Sequence, residues 1–127
     1  MSSLREIVRG AARSKRVITF VSKNARSHER RSWCALLESA QRRASVLAQD
    51  DVLPGDRVIL MGDTKPALIE MLLAVNLRGA IPTLLMPPKP RDRDHYDFIL
   101  RVQSDIGAKR VYFGDAYFTK NLDLVKA

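Results

Sequence analysis

The sequence predicts an α/β fold with a mostly parallel sheet and flanking helices, preceded by a short helix and a hairpin. Three observations carry this. From Arg57 onward, strand-like and helix-like segments alternate three times, the order expected when helices cross over between co-directional strands. The first of those strands, Arg57 to Met61, is continuously apolar after its arginine, as in a strand covered on both faces. The helix after it, about Lys65 to Arg78, carries Ala67, Leu68, Ile69, Met71, Leu72, Leu73, Ala74, Val75 and Leu77, apolar on nearly every side, so most of its faces should be buried.

The elements follow in order. Residues 1–15 hold an amphipathic helix over Ser3 to Arg13, with Leu4, Ile7, Val8 and Ala11 on one side and Arg5, Arg9 and Arg13 opposite. It has too few large apolar residues for firm membrane anchoring and reads as a packing helix. Arg16 to Val21 is β-branched and aromatic, hence a strand, and the polar loop Ser22 to Glu29, with Asn24 near its centre, closes a hairpin onto Arg30 to Ser32. Ser32 caps a helix whose stripe is Trp33, Leu36, Leu37, Ala40, Ala44, Leu47 and Ala48. Pro54-Gly55 forms a turn before the apolar strand. Gly62 and Asp63 turn the chain again, Thr64 is the expected cap of the buried helix, Pro66 sits in its first turn and Gly79 stops it. A strand over Ile81 to Met86 leaves through Pro87-Pro88-Lys89-Pro90. Asp94 is the expected cap of a helix carrying Tyr96, Phe98, Ile99, Val102 and Ile106. Arg110 to Phe113 is a last strand, and Ala116 to Ala127 reads as helical.

Composition narrows the function classes. A chain of 127 residues with 46% apolar content supports one cored domain over 1–127. No apolar run approaches the ~20 residues of a membrane-spanning helix, and the N-terminus has no signal-like apolar region. A single cysteine, Cys34, rules out an internal disulfide and a cysteine zinc cluster, which makes the cytoplasm the expected compartment. The balance of 22 basic to 14 acidic residues gives a formal net charge of +8. The basic residues are dispersed and not interleaved with aromatics, so the expectation is a solvated surface or a face completed by an acidic partner, not nucleic acid.

The turn D-R-V-I-L-M-G-D-T-K-P (56–66) is the one stretch with the outline of a phosphate site: strand, glycine, lysine, helix start. A phosphate loop needs several glycines and a row of free amides. Here Gly62 is alone and Pro66 removes an amide, so a structural corner is expected. Cys34 has no neighbouring histidine. His28 and His95 are far apart in sequence, and Asp50-Asp51 and Asp92/Asp94 suit caps and turns better than acid–base pairs. No catalytic, cofactor-binding or metal-binding residue is therefore assigned.

The stretch R-R-A-S-V-L-A-Q-D-D-V-L-P-G-D-R-V-I-L-M-G-D-T-K-P-A-L-I-E-M-L-L-A-V-N-L-R-G-A-I-P-T-L-L-M-P-P resembles the beginning of the acyl-adenylate-forming superfamily: acyl-CoA synthetases, fatty-acyl-AMP ligases and peptide-synthetase adenylation domains. The likeness rests on Leu53-Pro54-Gly55-Asp56-Arg57-Val58, Leu72-Leu73-Ala74, Arg78-Gly79-Ala80-Ile81-Pro82 and Pro87-Pro88, and covers about residues 16 to 115. It implies that the chain is an incomplete N-terminal subdomain of such a ligase. The complete enzyme would activate a carboxylic or fatty acid with ATP and magnesium, then pass the acyl group to coenzyme A or a carrier-protein thiol. The family's phosphate loop, adenine and ribose motifs and catalytic lysine are absent here, and the matching residues are scaffold positions. The resemblance thus implies no cofactor bound by this segment and no catalysis by it alone. The expected partner is the remainder of the ligase or a separate chain, with self-association also open, through cover over the helix Lys65 to Arg78 or a sheet edge. The alternative is a short docking module that keeps the scaffold and acts through a protein partner; a weaker third reading is a binder of nucleic acid or anionic membrane through the Arg-rich first helix.

Overall fold

A computed structural model describes residues 3–22, 26–87 and 91–113. Its elements are α1 (Leu4–Arg13), β1 (Val17–Val21), β2 (His28–Ser32), α2 (Trp33–Gln49), β3 (Arg57–Met61), α3 (Pro66–Leu77), β4 (Ile81–Leu85), α4 (Arg93–Ile106) and β5 (Arg110–Phe113). The helix expected over Ala116 to Ala127, the hairpin turn at Asn24 and Pro88 to Pro90 lie outside the described residues.

The alternation read from Arg57 onward is present. β3 pairs in parallel with β4 on one side (Ile59 opposite Thr83) and with β5 on the other (Ile59 opposite Val111), giving the order β4-β3-β5. β1 and β2 form a separate antiparallel hairpin, Thr19 facing Arg30.

Because strand side chains alternate, β3 feeds two cores. Val58 and Leu60 join Leu36, Ala40 and Leu47 of α2 and Met71, Ala74 and Val75 of α3. Ile59 and Met61 join Ile99 of α4 and Val111 of β5. All four of these β3 side chains have no exposed surface, in keeping with a strand that is apolar after Arg57.

Every residue of α3 is buried or half-buried, as its all-round apolarity predicts, and α1 and α2 of the same chain pack against it. Its one charge, Glu70, is met by Arg43 of α2, Nε to Oε2 at 3.0 Å, with both side chains largely covered. Arg5 of α1 donates from Nη2 to the Leu77 carbonyl at 2.7 Å, a cation at the negative end of α3.

Three local expectations are corrected. Lys65, not Thr64, is the N-cap of α3, without a side-chain capping bond, because Pro66 takes the first helical position where its missing amide costs nothing. Asp92, not Asp94, caps α4: its Oδ1 accepts from the His95 amide at 3.2 Å, and Asp94 falls in the first turn. Ala48 is exposed; Leu36, Ala40 and Leu47 continue the 3.6-residue period inward, and Ala48 sits a step to the side.

The helix-to-strand connections end on Schellman bonds. After α3, Ala80 N donates to Val75 O (3.0 Å) and Gly79 N to Asn76 O (2.9 Å), with Gly79 at φ +79°. After α2, Val52 N donates to Leu47 O (3.0 Å) and Asp51 N to Ala48 O (3.1 Å), but the left-handed residue is Asp51, at φ +62°.

Candidate functional site

The C-terminal ends of β3 and β4 and the β1–β2 hairpin enclose an open cleft of about 1250 Å³. Its floor is apolar, from Phe20, Leu60, Leu68, Leu84, Leu85 and Met86, and its rim is polar, from Ser22, Ser27, Glu29, Asp63, Thr64 and Lys65. The turn singled out in the sequence therefore does border a cavity. The sequence held no signal for this, because nothing local to residues 17–32 dictates where the hairpin lies against the sheet.

The turn's donors are few. Lys65 N donates to Asp63 O at 2.8 Å, Pro66 has no amide, and Leu68 N turns back to Lys65 O at 3.0 Å. Of the first three helical positions, at most Ala67 has an amide to offer, where a phosphate needs several. The Asp63 carboxylate on the same rim would repel a phosphate further. The helix start therefore offers few backbone amides to an anion.

The other candidates are dispersed. Cys34 is exposed, its Sγ 3.7 Å from Glu38 Oε1. His28 lies on β2 opposite Val21, whereas His95 donates from Nε2 to the Met86 carbonyl at 2.6 Å, so the two histidines serve different elements. No group of three metal-ligating side chains converges among the described residues.

Asp50 is structural: its Oδ2 accepts from the Tyr112 hydroxyl at 2.8 Å and its carbonyl from Arg110 Nε at 3.1 Å. Burial pushes the Tyr112 phenol above its ordinary range, and the bond to Asp50 adds to the shift. Lys109 Nζ donates to the Asp51 carbonyl and lies 3.2 Å from Asp56 Oδ2. The Leu53 amide, donating to Asp56 Oδ2 at 2.7 Å, holds that carboxyl below its usual value; desolvation opposes this and Lys109 reinforces it. These bonds tie the α2–β3 turn to β5. They bring together Asp50, Asp51 and Asp56 as turn residues.

Comparison with known proteins places the fold. No family model and no curated protein matches this sequence. Solved structures do. The adenylation domain of a keto acid-selecting NRPS module, bound to a keto acyl adenylate, superposes with a TM-score of 0.81 at 19% identity, over 91% of this chain and 21% of that one. The fatty acyl-adenylate ligase of Legionella pneumophila, in complex with acyl adenylate and pyrophosphate, gives 0.77 at 26% identity, over 87% and 19%. The N-terminal subdomain of Klebsiella oxytoca NpsA gives 0.72 at 21% identity, over 89% and 28%. The chain has the fold of the N-terminal part of the adenylate-forming superfamily and spans about a fifth of the length of the first two structures.

Proposed function

We infer that this chain is an N-terminal scaffold segment of an acid-activating ligase and does not catalyse alone. The whole enzyme would join a carboxylic or fatty acid to AMP, with ATP and magnesium, and deliver the acyl group to coenzyme A or a carrier-protein thiol. The observation behind this reading is the β3-α3-β4-α4-β5 order with both parallel registers, matched along about nine-tenths of the chain by enzymes whose structures hold acyl adenylates. The chain's own share of the work is mechanical. β3, buried on both faces, fixes where β4 and β5 end, and the Asp50–Tyr112 and Arg43–Glu70 contacts lock the helices on one face. ATP and magnesium chemistry would be supplied by residues other than these, in keeping with the few backbone amides that the helix start at Pro66 offers to a phosphate.

A chimera tests the reading. Replacing the matching fifth of the Legionella pneumophila ligase with this chain should give a soluble enzyme that retains acid-dependent ATP–pyrophosphate exchange. A chimera that melts cooperatively yet shows no exchange would overturn the scaffold assignment.

A second reading, a docking module working through a protein partner, is favoured by one feature: Val21, Leu84 and Met86 line the cleft while 54%, 52% and 73% exposed. Purified chain that neither self-associates nor binds a hydrophobic dye would count against it.

A further inference from the structure

We propose that two copies of this chain associate through the free edge of β4, in an antiparallel pairing centred on Leu84. The inference stands independently of the ligase reading. Among the described residues β4 is an edge strand, in the order β4-β3-β5. Ile81 N donates to Asp56 O at 2.8 Å, and Ile81, Thr83 and Leu85 are in register with Arg57, Ile59 and Met61. Ladder alternation then turns the backbone groups of 81, 83 and 85 toward β3, and those of Pro82, Leu84 and Met86 outward. Pro82 fits a strand only there, because an outward amide is the one the ladder does not need.

The outward groups are complementary to themselves in partial charge. With a two-fold axis at Leu84, its amide donates to the Leu84 carbonyl of the second copy and the reverse. One register step out, each Met86 amide donates to the other copy's Pro82 carbonyl. The only donor missing from the scheme is the Pro82 amide, whose acceptor would be the Met86 carbonyl. That carbonyl already accepts from His95 Nε2 at 2.6 Å. The pairing therefore leaves no outward group of residues 82, 84 and 86 unsatisfied.

The side chains agree with the backbone. Leu84 and Met86 project to the same face as Pro82 and are 52% and 73% exposed. Residues 81–85 carry no ionisable side chain, so the edge lacks the lysines that commonly blunt such strands, and the net charge of +8 is not focused on the contact. A contact of this size makes a weak, reversible dimer with one continuous six-stranded sheet.

Sedimentation velocity over a concentration series of the 127-residue chain reads the monomer–dimer balance. A dimer population that grows with concentration is expected. Leu84→Pro removes both central donors but leaves the β3–β4 ladder intact, as Pro82 already does. It should weaken association at least ~10-fold without loss of the far-UV spectrum. His95→Ala frees the Met86 carbonyl and should weaken the dimer, and adding Pro82→Ala should restore it, a rescue that general stickiness would not show. Leu84→Cys in a Cys34→Ser background should cross-link to itself on oxidation, since paired Cα atoms stand ~5.5 Å apart. Ile81→Cys should not. A monomer at every concentration overturns the proposal and leaves the edge to some other chain. A dimer indifferent to Leu84→Pro, or one without the 84–84 cross-link, also overturns it. Should Leu84→Pro fail to fold, the cross-link decides.

Discussion

Asp51 and Gly79 occupy equivalent places, each the left-handed residue that ends a helix, yet one has a side chain and the other cannot. At Gly79 an added Cβ would meet the Pro54 Cβ at 3.3 Å. Gly79→Ala therefore combines left-handed strain with a tight contact and should cost about 1–2 kcal/mol in chemical denaturation. Asp51→Gly should act in the opposite direction, raising stability by about 0.5–1 kcal/mol, because its exposed side chain makes the left-handed conformation costly and the Lys109 bond is to its carbonyl. Both substitutions leave Schellman bonds in place, so a shift of the same sign in both would contradict this account. The Asp56 carboxyl predicts a pH effect. Its folded pKa lies below the unfolded value of 3.8, so its contribution is present above that value and lost as pH falls through the lower folded one. Acid titration of the melting temperature should show that loss, and Asp56→Asn should remove it.

Among the elements, the α2–α3 pair is the most extensive packing, and the Arg43–Glu70 ion pair crosses it. Arg43→Ala leaves a largely covered carboxylate unpaired and should destabilise by about 1–3 kcal/mol; Arg43→Ala with Glu70→Leu should recover most of it in the same thermal melts. The sequence made the elements legible and their mutual contacts not. Periodicity located α2 and α3 to within a residue or two, since burial of one helical stripe or of all faces writes itself into the local pattern. Capping was half legible. Ser32 is a cap as expected, its Oγ accepting from Ala35 N at 3.0 Å, whereas at α3 the fixed geometry of Pro66 outweighed the hydroxyl of Thr64. Arg43–Glu70, Tyr112–Asp50 and His95–Met86 join residues 27, 62 and 9 positions apart, and no local rule encodes such distances.

For the whole molecule, the direction and order of the strands decide the reading. A central strand buried on both faces needs cover from two helical layers, and α1, α2 and α3 on one side with α4 on the other provide it. What the layers leave open is the cleft, apolar at its floor and polar at its rim, and the β4 edge. The strands that border the cleft were legible in the sequence, because apolar runs between turns marked them. The cleft was not, because it arises from where the hairpin packs. No helix among the described residues is long and apolar enough to cross a membrane.

The most direct test of a scaffold without its own chemistry is ATP–pyrophosphate exchange by the purified 127-residue chain, with magnesium and a panel of aromatic, keto and fatty acids. The account predicts exchange at the background of a protein-free control with every acid. Acid-dependent exchange above that background would contradict it.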